Sequence, residues 1–137
     1  MILSKTSEYA IRVLTYIAAN GNLLISTKVL SEKLTIPYKY LSQIMRKLSE
    51  AGFLEPVQGK YGGYRVYKDI DTIYLYQIID HLEGMELYQG CMLGYPKCDS
   101  ENPCPIHDSW EKPRAMFLDM LFKTTIKDLI NNQTKRF

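Results

Sequence analysis

The sequence predicts a mainly helical chain that carries one small β-hairpin and ends in a long helix. Three observations predict it. Apolar residues recur at helical spacing through residues 7–52 and again through 108–130. Two short runs rich in β-formers, FLEPV and YRVYK, flank the glycine-rich stretch QGKYGG. The 137 residues are 46% hydrophobic and 23% charged, which is enough chain to bury one core and too apolar for a disordered one.

Each element can be justified in order. SEYAIRVLTYIAA sets Ala10, Leu14, Ile17 and Ala18 on one stripe, with Ile11 and Val13 at its edges, and Asn20-Gly21-Asn22 stops it. Ser26 or Thr27 can cap a second helix, STKVLSEKL, with Val29, Leu30 and Leu34 expected to face inward. After Thr35-Ile36, Pro37 suits the first turn of a third helix that buries Leu41, Ile44, Met45 and Leu48 and stops at Gly52. The hairpin follows. DTIYLYQIIDHLEGM then reads as a fourth helix starting near Asp69–Thr72, with Ile73, Tyr76, Ile79 and Leu82 as its stripe and His81 at its edge without a role. DSWEKPRAMFLDMLFKTTIKDLI is the last helix, expected to break or bend near Pro113. Its Met116, Phe117, Met120, Leu121, Ile126, Leu129 and Ile130 offer more apolar surface than one small neighbour needs, which points to dimerisation.

Two helices across a short break form a helix-turn-helix, and a following hairpin with a basic tip gives the winged-helix order. Residues 1–84 are expected to form a winged helix-turn-helix domain, 85–108 a cysteine-rich loop, and 109–137 a dimerisation helix and tail. Charge agrees with a duplex-facing front. Residues 1–68 hold ten Lys/Arg against four Asp/Glu, and residues 69–137 hold seven against eleven. On the third helix Tyr38, Lys39, Tyr40, Ser42, Gln43, Arg46 and Lys47 lie on or near the polar side. Gln43 can read adenine and Arg46 guanine through paired hydrogen bonds, while Lys39 and Lys47 suit phosphates. Lys60 and Arg65 in the wing suit phosphates or a minor groove, and Tyr61 either joins them or packs beneath the wing. A solvated helix face is the bland alternative.

All three cysteines, Cys91, Cys98 and Cys104, fall within CMLGYPKCDSENPCPIH, and His107 follows the last by three positions. The glycines and prolines there disfavour regular structure and leave little apolar cover for inert thiols. The early Lys5 and Glu8 do not suit a secretory leader, and no apolar run is long enough to span a bilayer, so a reducing cytoplasm without membrane contact is the expectation. An odd thiol count in that setting disfavours a disulfide framework. A metal centre remains. Zinc motifs pair cysteines two to four residues apart, whereas six and five residues intervene here, which favours an iron–sulfur cluster. His107 is the nearest fourth ligand; Glu8 is another, if a partner subunit's first helix lies over the loop.

The stretches SKTSEYAIRVLTYIA, IPYKYLSQIMRKLSEAGFL, GKYGGYRV and CPIHDSW, with the three cysteines, resemble the IscR/NsrR-type winged-helix regulators of the Rrf-two superfamily, over nearly the whole chain. The resemblance implies a homodimeric transcription regulator, a repressor first, on a pseudo-palindromic operator in double-stranded DNA, and no enzyme. It implies a cluster on the cysteines matching Cys91, Cys98 and Cys104. In IscR-like members a His followed by a Trp three residues on completes the set, as His107 and Trp110 do in position. In NsrR-like members a first-helix acidic residue of the other subunit serves, matching Glu8. A histidine favours 2Fe-2S, the preferred expectation; a carboxylate suits 4Fe-4S. Redox state, nitric oxide and iron or cluster status are the implied signals. Two departures touch the DNA face: Ser42 stands where many relatives carry Glu, and Gln58 where many carry Arg in the wing. The first cysteine gap is also one residue longer than the commonest pattern. Rival readings are a winged helix with structural zinc, a thiol switch, and a small iron–sulfur electron-transfer protein.

Overall fold

The structure is a computed structural model, and it describes residues 2–97 and 99–132. The elements in order are α1 (Lys5–Ala19), α2 (Thr27–Leu34), α3 (Tyr38–Glu50), β1 (Leu54–Val57), β2 (Gly63–Val66), α4 (Leu75–Leu82), α5 (Glu86–Gln89), α6 (His107–Lys123) and α7 (Ile126–Asn131). Helices α1, α2 and α3 pack on one another, the hairpin follows α3, and α4 closes the core against α1 and α3. The winged helix-turn-helix expectation holds.

Local chemistry explains most boundaries. Ser4 caps α1 by accepting from Ser7 N–H at 3.2 Å, and Ser26 caps α2 from Val29 N–H at 3.2 Å. Helix α3 ends in two reverse bonds, Gly52 N–H to Ser49 O and Phe53 N–H to Leu48 O, with Gly52 at φ +84°. That left-handed residue is why the helix stops at a glycine. Ala10, Leu14, Ile17, Leu30, Leu34, Leu41, Ile44, Met45 and Leu48 are all buried, and so is Val13, expected only at an edge. Val29 is a correction: it is 39% exposed, because α2 is short and its inward stripe is Leu30 and Leu34 alone.

The hairpin is antiparallel, pairing Leu54 with Val66 and Val57 with Gly63. The loop before α2 extends it, since Ile25 exchanges both backbone bonds with Tyr64 (3.1 and 2.8 Å). Asn22, at φ 54°, uses its side-chain amide like a strand residue: it donates to Val66 O at 3.0 Å and accepts from Val66 N–H at 2.7 Å.

Two later expectations are corrected. Helix α4 begins at Leu75, not near Asp69–Thr72, because Ile73–Leu75 is spent on an extended pairing. Its partner is Thr124–Ile126: Leu75 N–H bonds to Thr124 O and Ile126 N–H to Ile73 O, each at 3.0 Å. The same pairing explains the second correction. The C-terminal helix runs unbroken through Pro113 and stops at Thr124–Thr125, two β-branched residues in extended conformation. Thr125 then caps α7 in a reciprocal pair with Asp128. Helix α7 returns onto α1 while α6 lies along α4 and α5. Of the apolar residues read as a dimer stripe, Leu121 and Ile126 are therefore buried in this chain's own core, whereas Met116 and Met120 are 65% and 48% exposed.

Candidate nucleic-acid interface and cysteine loop

Helix α3 buries its leucine stripe and turns Tyr38, Lys39, Gln43, Arg46 and Lys47 to solvent. Arg46 Nε lies 4.0 Å from Glu50, an exposed and loose pair. Ser42 is half-buried, and its hydroxyl donates to Tyr38 O at 2.9 Å. Tyr40 turns instead toward α1, where its hydroxyl meets Thr6 and its ring sits edge-on to Tyr9 at 5.7 Å. It anchors the reading helix. Arg12, also on α1, donates to Leu34 O at 3.0 Å, capping the end of α2 just before left-handed Thr35. In the wing Gln58, Lys60, Tyr61 and Arg65 are all exposed, and Arg65 Nε also donates to Glu55 Oε2 at 2.7 Å across the hairpin.

The cysteine loop opens where α5 ends. Trp110 Nε1 donates to Gly90 O at 3.2 Å and Arg114 to Gln89 O at 3.4 Å, so the first turns of α6 hold the carbonyls preceding Cys91. Cys91 and Cys104 are half-buried, with Sγ atoms 3.4 Å apart. Burial alone would push the Cys91 thiol up. Backbone hydrogen bonds at Leu93, Tyr95 and Gly94, together with the Cys104 thiol, outweigh it and hold Cys91 below its ordinary value. His107 starts α6, is 6% exposed, and has Nε2 3.8 Å from Glu111 Oε2. Cys91, Cys104 and His107 line one cavity of about 450 Å³, with Tyr95, Lys97 and Asp99 among its other walls. Cys98 lies outside the described residues. Among those described, no group of three or more His, Cys, Asp or Glu side chains is close enough to hold a metal. Glu8 sits in the first turn of α1 and accepts from Lys5 Nζ at 3.0 Å, a bond that holds the Lys5 ammonium above its ordinary value; it does not line the cysteine cavity of its own chain.

The family model described as an iron-dependent transcriptional regulator, Rrf2, matches residues 3–132. The chain belongs to the Rrf2 family. A protein of Aquifex aeolicus (strain VF5), named as an HTH-type transcriptional regulator, is 35% identical over 137 residues, covering 98% of this chain and 95% of its own. The NsrR regulator of Bacillus licheniformis is 28% identical over 135 residues, covering 97% and 94%. Among solved structures, the global cysteine regulator CymR of B. subtilis superposes with a TM-score of 0.78 at 23% identity, covering 98% and 99%. IscR of T. potens superposes at 0.74 and 22%, covering 96% and 88%. These two likenesses carry the fold. Rrf2 relatives are named as regulators and not as enzymes, and the Rrf2 chain described here is a DNA-binding transcription regulator of winged-helix type. Among its described residues no helix is long and apolar enough to cross a membrane.

Several residues that shape the site of this Rrf2 chain escape a linear reading. Arg12, Asn22 and Ile25 act through partners 22 to 44 positions away. Only Asn22 carries a local signal, as a residue type that tolerates left-handed backbone.

Proposed function

We propose that this chain is a homodimeric cytoplasmic regulator whose grip on a pseudo-palindromic operator is set by an iron–sulfur cluster on Cys91, Cys98 and Cys104. The observation that carries the reading is the shared cavity: two adjacent thiols and a buried imidazole at its edge. Thiolates and neutral imidazole are suitable iron ligands. His107 as fourth ligand, and with it 2Fe-2S, is favoured over Glu8 and 4Fe-4S because His107 already lines the cavity. When bound, such a cluster supplies iron–thiolate bonds sensitive to redox state, nitric oxide and iron supply.

The chain's own part is mechanical. Cys91 follows the α5 carbonyls that Trp110 and Arg114 hold, and Cys104 leads into α6. The two thiols already lie 3.4 Å apart, and holding both on one centre would fix the end of α5 to the start of α6. Helix α6 lies on α4, and α7 lies on α1, so the loop and the reading helix share supports. The exposed Met116 and Met120 supply the facing surface for a second copy. Coupling of about 1–3 kcal/mol between loop state and operator affinity is the usual scale.

The test is anaerobic purification followed by iron, sulfide and absorption analysis. Cys98→Ala abolishes the visible band, and loaded and stripped wild-type protein differ in operator affinity. A colourless anaerobic protein that cannot be reconstituted sinks the cluster reading.

A second reading has its own support. The Cys91 and Cys104 thiols are adjacent, and a solved oxidised form of Staphylococcus aureus CymR superposes with a TM-score of 0.75 at 26% identity. A thiol switch predicts that peroxide changes operator affinity in metal-free protein, that dithiothreitol reverses the change, and that Cys104→Ala abolishes it.

A further inference from the structure

The first turn of α1 is held by hydroxyl groups from two directions. Ser4 is its N-cap, and the Ser4 N–H donates to Tyr88 Oη of α5 at 3.2 Å. Two residues on, the Thr6 hydroxyl meets the Tyr40 hydroxyl of α3. Glu83, at the end of α4, clamps the same turn: one carboxylate oxygen accepts from Ser4 Oγ and the other from Ser7 Oγ, the latter at 2.7 Å. A turn tied at both Ser4 and Ser7 has little freedom to fray, so a pull on Ser4 is passed to Thr6.

Helix α5 is the partner that can move. It is a single turn, Glu86–Gln89, and buries none of its four residues, so its pose is set by what grips its ends. It runs straight into the cysteine loop. Tyr88 lies three positions before Cys91, and the carbonyls of Gln89 and Gly90 between them are held by Arg114 and Trp110 of α6. The Tyr88 ring itself lies 5.9 Å from that of Phe117, also on α6.

We propose that the first turn of α1 links the cysteine loop to the reading helix: Tyr88 passes a change of loop state to Ser4, and Thr6 passes it to Tyr40 and so to α3. The link rests on the loop-controlled operator binding described above and names the residues that carry the control. Loop state alters operator affinity only through a contact that differs between the two states. The Tyr88–Ser4 bond is that contact, because it joins the element that moves with Cys91 to the N-cap of a helix on which α3 packs. Tyr88, Ser4 and Thr6 are positioning residues that act through α3.

The experiment uses full-length, anaerobically purified protein. Tyr88→Phe keeps the ring beside Phe117 and removes only the hydroxyl; Thr6→Val does the same for its own side chain. Affinity for a duplex selected by the wild type is measured with the loop loaded and after stripping, and the wild-type ratio is about 5–150-fold. Each variant lowers that ratio about fivefold, the worth of one net hydrogen bond, while the loaded absorption spectrum matches wild type. The double variant lowers it no further, since both bonds lie in series on one link. A merely structural role would weaken both loop states equally and leave the ratio unchanged. A second readout needs no cluster. In stripped, reduced protein, saturating operator changes the rate at which iodoacetamide alkylates Cys91, and Tyr88→Phe loses that change. The proposal is overturned if either variant keeps the wild-type ratio, if the two losses add, or if Tyr88→Phe keeps the alkylation response. If wild type binds the duplex equally in both loop states, loop control itself falls, and the link with it.

Discussion

Gly62 shows how much of the wing depends on single backbone positions. Its flanking strands pass so closely that one added methyl would strike Val57 O. Gly62→Ala is expected to cost about 1–3 kcal/mol, the usual penalty for forcing atoms into filled space. Urea unfolding measures that loss, and operator affinity falls with it because the apex loses its shape. Unchanged stability would mean that the turn can relax. The sequence marks this residue only as one glycine of a basic tip; it does not say which glycine is indispensable. Tyr40 and Arg65 teach the converse. Helical phase puts Tyr40, and a place in the wing puts Arg65, among candidate DNA contacts; one also meets Thr6 and Tyr9 and the other pairs with Glu55. A polar or aromatic side chain near a surface can serve either role, and its neighbours in space decide which.

Among the elements, α1 is the hub. It touches α2, α3, α4, β2 and α7. Its N-terminus is tied to the region preceding the cysteine loop by Glu83, whose carboxylate accepts from Ser4 Oγ and, at 2.7 Å, from the fully buried Ser7 Oγ. Tyr88 Oη accepts from Ser4 N–H at 3.2 Å, and its ring lies 5.9 Å from Phe117 of α6. A carboxylate at a helix N-terminus is also favoured by the unpaired N–H groups there. Glu83→Ala is expected to cost about 1–3 kcal/mol, since it strands the Ser7 hydroxyl in the core. The check is chemical denaturation, with Glu83→Gln as the milder comparison. A loss no greater than a few tenths would show that the latch is decorative. The helices themselves were legible in their apolar stripes and caps. The break at Thr124–Thr125 was not, because it depends on pairing with Ile73–Leu75 about fifty positions earlier. Pro113 misled as well: it is the seventh residue of α6 and has no N–H for the Ser109 carbonyl, yet the helix runs on through it to Lys123.

At the scale of the molecule, the fold joins the winged-helix head to the cysteine loop through α6 and α7. Its outward apolar residues also bear on assembly. Met120→Glu is expected to shift the sedimenting mass to that of a single chain and to weaken operator binding, while the unfolding midpoint of the isolated chain stays near wild type because Met120 faces solvent. A variant that remains dimeric moves the interface elsewhere. The sequence by itself determined the winged-helix class, the order of its elements, the buried faces of α1 and α3, and the gathering of every thiol into one loop. Those features depend on periodicity, capping residues and composition, which are local along the chain. Only the tertiary structure decided which polar side chains of α3 and the wing are engaged by neighbours, where the last helix breaks, and that His107 shares a cavity with Cys91 and Cys104. These depend on contacts between residues far apart in sequence, where burial and hydrogen bonding to a distant partner outweigh local preference.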